Sequence, residues 1–229
     1  MAIKLILGRK KRIIVILIIF GLIYLLISLL TSSSHGEQSV LICNYGPEVQ
    51  DKLRDLLLRT KESLITLGLT YFLCYNSLWG SLKMETVLPW VNYLEICLIN
   101  DEISHMDEAY IFRIFKNKNL KMSYISSNGV YLITDSQVAE PVIKLILFEK
   151  DTVTSQYRRV GWRNRLVPPN SCEAIHCFPP MLIDKPLPMS SLLNVPIPAP
   201  REKEEIQKYL FPDNWWKDIE PEKCKKENH

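Results

Sequence analysis

From Val49 through Leu53, Leu56, Leu57 and Leu64, apolar residues recur near every third or fourth position, the period of one helix face. Gly46-Pro47 precedes them, and proline suits a first helical turn, so the pattern predicts a helix from there to about Thr66. Leu67 to Tyr75 (LGLTYFLCY) is apolar, aromatic and β-branched and reads as a buried strand. Asn76 or Ser77 can then cap a short helix through Met84, Pro89-Trp90 breaks the run, and Tyr93 to Ile99 reads as a second buried strand. Ser104 to Asn117 has helical spacing, with Met106, Tyr110 and Ile114 on one line. Val40 to Cys43, Lys121 to Ile125, Val130 to Ile133 and Val142 to Phe148 read as further strands, and Ser127-Asn128-Gly129 supplies a turn. Nine of the 14 prolines fall between Pro168 and Pro200, which predicts an irregular wrap there. A last helix runs from about Glu202 to Leu210, and no internal repeat occurs. Strands and helices mixed in this way define an α+β domain.

A different pattern precedes this domain. Ile13 to Leu30 holds no charge over 18 residues, about 27 Å as a helix. That is longer than the apolar core of a cleaved signal peptide, and it predicts one retained transmembrane anchor. Lys4, Arg9, Lys10, Lys11 and Arg12 lie before it and no acid appears before Glu37, which keeps the N-terminus cytosolic and sends the rest into the lumen. The expected organisation is a basic tail (1–12), an anchor (13–30), a stem (31–39), a lumenal domain (40–216) and a polar tail (217–229).

Charge follows from that division. Of the 28 basic residues five are in the tail, so 23 face 25 acidic residues beyond it. The domain is slightly acidic, and its charge gives no support to a nucleic-acid partner. All six cysteines (Cys43, Cys74, Cys97, Cys172, Cys177, Cys224) follow the anchor, in an oxidising compartment, where an even number predicts disulfides. Cys172 and Cys177 are near enough in sequence to close a small loop, though 15 pairings remain open.

The chemistry centres on Cys74 to Ile96, CYNSLWGSLKMETVLPWVNYLEI. Two strands flanking a short helix, with acids on the second strand, form a phosphate-handling layout. The first amides of the helix face a phosphate, and carboxylates hold the magnesium that bridges it. Glu95 supplies one carboxylate and Asn92 one neutral oxygen, while Ser77 and Lys83, with Gly80 between them, either meet a phosphate or are a plain helix cap and a surface lysine. A metal site rebuilt from Glu95 with Asp101, Asp135 or Asp151 is one outcome; Glu95 as a strand carboxylate turned to solvent is the other. The run Tyr157 to Arg165, with four arginines including Arg163, either grips an anionic ligand or forms a solvated loop.

The segment resembles the LicD/fukutin family of phosphotransferases, whose nucleotidyltransferase fold carries roughly Tyr-Gly-Thr-Leu-Leu-Gly-x-x-Arg and then Pro-Trp-Asp-Asp-Asp-x-Asp. Tyr75, Leu78, Gly80, Pro89 and Trp90 match in register, Ser77 replaces the threonine and Lys83 the arginine. Val91, Asn92 and Tyr93 occupy three of the four aspartate positions and Glu95 the fourth. Val195-Pro196-Ile197-Pro198, Tyr209-Leu210 and Trp215-Trp216 resemble the family's C-terminal end. The resemblance implies a mixed β-sheet with helices. It also implies magnesium-dependent transfer of a phospho-alditol or phospho-amino-alcohol from a CDP-activated donor to a glycan. With three of four acids replaced, the expectation is a Golgi or endoplasmic-reticulum protein that is catalytically weak or inactive. Its expected partners are a glycan acceptor or a glycan-modifying transferase.

Overall fold

The computed structural model describes residues 15–25, 42–162, 176–217, 220, 221 and 224. The chain divides into two units, Met1–Leu41 and Ile42–His229. In the first, residues 15–25 form helix α1, and its large apolar side chains, from Val15 to Leu25, are all exposed. The remainder of the expected anchor, the stem, Val40 and Leu41 lie outside the described residues. Among the described residues no helix is long and apolar enough to cross a membrane.

The second unit begins with α2 (Pro47–Thr66), a helix in which Pro47 occupies the first turn and Leu53, Leu56, Leu57 and Leu64 form the buried face. Ile42 and Cys43 precede it in non-strand conformation, so the expected first strand is absent from them. The expected strand from Leu67 shortens to β1 (Tyr71–Leu73), because Leu67 closes α2 and Gly68 turns the chain at φ +67°. Helix α3 (Tyr75–Met84) and β2 (Tyr93–Ile99) follow.

Asn100–Ser104 forms an unexpected short helix, α4, and the helix expected from Ser104 to Asn117 begins only at Glu108, as α5 (Glu108–Asn117). Asp107 makes the break, since its carboxylate accepts the Ala109 N–H at 2.9 Å and starts a new helix. That restart rotates the apolar line, burying Ile111 and Phe115 while Tyr110 stays 45% exposed. Asp107→Ala is expected to lower stability by about 1 kcal/mol, read from the urea midpoint.

Strands β3 (Leu120–Ile125), β4 (Val130–Asp135), β5 (Val142–Lys150) and β6 (Tyr157–Arg159) complete the main sheet. The strand order is β1-β2-β5-β4-β3, with β6 paired to β5. Only β2 and β5 run parallel; every other pair is antiparallel. A mixed sheet results, and β2 and β5 read as apolar runs because they are its central strands. Within the proline-rich stretch a hairpin forms, β7 (Met189–Leu192) and β8 (Val195–Pro198). Pro196 and Pro198 are tolerated there because a two-stranded ladder leaves one side of β8 without bonding demands. Helix α6 (Lys203–Leu210) closes the fold.

Among the described residues two disulfides pin the unit. Cys43–Cys224 joins its two ends, and Cys74–Cys97 ties the start of α3 to β2. The expected Cys172–Cys177 loop falls partly outside the described residues.

Candidate functional site

In-register neighbours on a sheet project to the same face, and alternate residues share it. Glu95 on β2 is paired with Lys144 on β5, and Phe148, two positions of the same face further along β5, is paired with Arg159 on β6. One face of the sheet therefore carries Glu95, Lys144 and Arg159. Against it stands the N-terminal end of α3, held by the Cys74–Cys97 disulfide.

Glu95 is only 8% exposed, which removes the expectation of a carboxylate turned to solvent. Its Oε2 accepts the Asn76 N–H at 3.0 Å, and its own N–H donates to Ser77 Oγ at 2.6 Å. The expected side-chain cap by Asn76 or Ser77 is thus replaced: the first turn of α3 receives its carboxylate from Glu95, across the strand. Asn76 Nδ2 donates instead to the Tyr93 hydroxyl at 3.1 Å. The Lys144 ammonium lies 3.3 Å from the centroid of the Tyr93 ring.

Tyr75 opens α3 in the left-handed region, φ 49°, an uncommon conformation for an aromatic residue. Three contacts hold it there. Gln207 Nε2 donates to its carbonyl at 2.9 Å, its ring meets Phe211 edge-on, and its hydroxyl lies 3.3 Å from His176 Nδ1. The Arg159 guanidinium stands 5.8 Å from the same ring, with Nε buried and without a hydrogen-bond partner.

Burial dominates the electrostatics. It pushes the Glu95 carboxyl above its ordinary range, opposed by Lys144, the Asn76 N–H and Arg159. It pushes the Lys144 ammonium down, opposed by Glu95 and reinforced by Arg159. His176 is lowered by burial and then by Arg159, which favours the neutral ring. One carboxylate thus faces two cationic side chains.

Magnesium, which the resemblance implies, does not fit these donors. It needs several hard oxygens, commonly two carboxylates, and is repelled by an ammonium in register with the single acid. Val91 is buried among Trp79 and Leu88, and Asn92 Nδ2 reaches Glu140 Oε2 at 3.5 Å. Asp101 lies past the far end of β2, roughly 13 Å of strand beyond Glu95. Asp135 pairs with Arg59 at 2.9 Å, and Asp151 accepts from Val153 N and Thr154 Oγ1 in its own turn. Among the described residues no group of three or more His, Cys, Asp or Glu is placed to hold a metal.

The other expected residues separate. Ser77 is buried and bonded to β2, and Gly80 is a packing position against the Thr86 backbone. Lys83 is exposed two turns along α3, over the Trp79 ring. Arg163 lies outside the described residues. Of the basic run, Arg158 pairs with Glu149 at 3.0 Å while Arg159 joins the Glu95 cluster. Arg159 comes from the basic run already singled out, whereas Lys144 and His176 come from outside the segment read as the catalytic motif. The available signal for Lys144 was a lone charge inside the apolar run Val142 to Phe148.

A mixed sheet whose central strand presents a carboxylate to the first amides of a helix entering from the preceding strand is a nucleotidyltransferase-type architecture. The family model described as LicD/FKTN/FKRP, nucleotidyltransferase domain, matches residues 68–202, and the chain belongs to this family. A search of curated proteins finds no match.

Proposed function

We propose that this is a family member in which a buried carboxylate, with Lys144 and Arg159 on the same face of the sheet, has replaced the metal centre, acting in lumenal glycan modification as a weak or inactive transferase. The observation that carries the reading is the register of Lys144 with Glu95. The Glu95 carboxylate takes the α3 amide that a substrate phosphate would use, and Lys144 supplies the positive charge a metal would bring. Val91, Asn92 and Tyr93 then have no ion to serve, and they pack or hydrogen-bond instead.

The setting proposed is the membrane of the Golgi or endoplasmic reticulum, with 13–30 as a type II anchor. The basic residues before it, the exposed apolar side chains of α1 and the two disulfides support this. The partner proposed is a glycan-modifying transferase or its glycan acceptor.

Calorimetric titration of the full-length protein in detergent with CDP and CTP, with and without magnesium, tests the reading. The expected result is no magnesium-dependent binding. Magnesium-dependent binding that Glu95→Ala abolishes would establish the opposite, an active CDP-dependent phosphotransferase.

A further inference from the structure

Two turns along α3 from the Glu95 cluster the surface opens into a cleft of about 700 Å³. Its walls include Trp79, Trp90, Trp215, Trp216, Lys83 and Glu204. Four of the five tryptophans of the chain thus line one depression, and Trp216 is 60% exposed. Trp79 and Trp90 pack on Leu88 and Val91, while Trp215 and Trp216 come from the turn after α6 and meet at 82°. Perpendicular indoles offer two differently oriented apolar faces to one occupant.

We propose that this cleft binds a saccharide chain, through the apolar CH faces of β-linked pyranose rings. The inference rests on the reading of a glycan-modifying protein but assigns a separate site to the glycan, apart from the Glu95 cluster. The volume lies within the range of small-ligand pockets and accommodates two or three sugar rings. Charge narrows the class. Lys83 lies 5.5 Å from the Trp79 ring, Lys208 5.0 Å from Trp215 and Lys217 5.9 Å from Trp216, so ammonium groups of the protein already hold the cation positions on these indoles. At the walls Lys83 and Lys217 are matched by Glu204 and Glu220, so the lining carries no net charge to favour a charged ligand. A neutral, hydroxyl-rich ring stacks on the remaining indole surface, and the Lys83 ammonium and Glu204 carboxylate at the walls can donate to and accept from its hydroxyls. The position also suits the fold: Trp79 and Lys83 share α3 with Asn76, and seven residues of helix place Lys83 about 10 Å along α3 from the residue that binds the Glu95 carboxylate.

Saturation-transfer NMR on the full-length protein in detergent, with chitotriose, cellotriose and choline as separate probes and neither nucleotide nor magnesium present, tests the inference. The expected result is saturable transfer to protons of one pyranose face of a trisaccharide, with affinity lowered about tenfold by Trp216→Ala. Glu204→Gln, at an exposed position, is expected to weaken binding severalfold without altering the transfer pattern. Trisaccharide binding indifferent to both substitutions, no saturable trisaccharide binding, or preferred binding of choline would each overturn the proposal. Because nucleotide is absent, failure here leaves the titration of the Glu95 site to be judged by itself.

Discussion

Lys144→Ala is expected to destabilise the protein by about 3 kcal/mol near neutral pH, since it leaves a buried carboxylate without its principal cation. The pH dependence carries the sign of the effect. Burial holds the Glu95 pKa above its unfolded value, so its contribution to stability is complete in acid and is lost as pH rises through the folded pKa. In the wild type Lys144 and Arg159 limit that loss. Removing Lys144 raises the Glu95 pKa further and deepens the loss, so the deficit should be large at about pH 8 and shrink toward about pH 4. Guanidinium unfolding across that interval measures it. Glu95→Gln in the Lys144→Ala background keeps an acceptor for the Asn76 N–H while deleting the charge, and should restore most of the stability. Strictly additive substitutions, or a deficit independent of pH, would refute the electrostatic coupling of Lys144 to Glu95 as the organiser of this site.

Gly80→Ala is expected to cost about 3 kcal/mol or to prevent accumulation of folded protein. A Cβ at Gly80 would stand 2.3 Å from the Thr86 carbonyl oxygen and 3.3 Å from Val87 Cα, and these are backbone atoms that cannot rotate away. Relief would require moving α3 off the segment that leads into β2, and with it the Asn76 and Ser77 contacts to Glu95. Lys83→Ala on the exposed side of the same helix should stay within about 0.5 kcal/mol of wild type. Thermal unfolding of the two variants side by side tests this: a Gly80→Ala protein of normal stability would refute the packing role of this glycine.

The sequence showed the scaffold where one local pattern decided the element. α2 has a first-turn proline and a regular buried face, and β2 is an apolar run interrupted only by Glu95, so both were legible to within a residue or two. The motif register from Tyr75 to Glu95 was legible for a similar reason, since Gly80 packs against backbone and Trp90 packs on the Leu88 cluster, roles that tolerate few replacements. What stayed hidden depends on pairings remote in sequence. Lys144 is 49 positions from Glu95 and meets it only because β2 and β5 lie parallel, and Arg159 joins through a further strand pair. The expected cap of α3 failed in the same way: a local donor set was outcompeted by a carboxylate from the neighbouring strand. At Asp107 a single side chain caps the helix and moves its start from the expected Ser104 to Glu108, an effect that apolar periodicity does not register.

The bond between Cys43 and Cys224 spans 181 residues and converts nearly the whole second unit into a covalent ring. Tension applied between residues preceding Cys43 and residues following Cys224 therefore runs through two sulfurs and bypasses every strand pairing. A single protease cut anywhere inside the ring opens it without releasing a fragment, so a nicked molecule keeps its full mass until it is reduced.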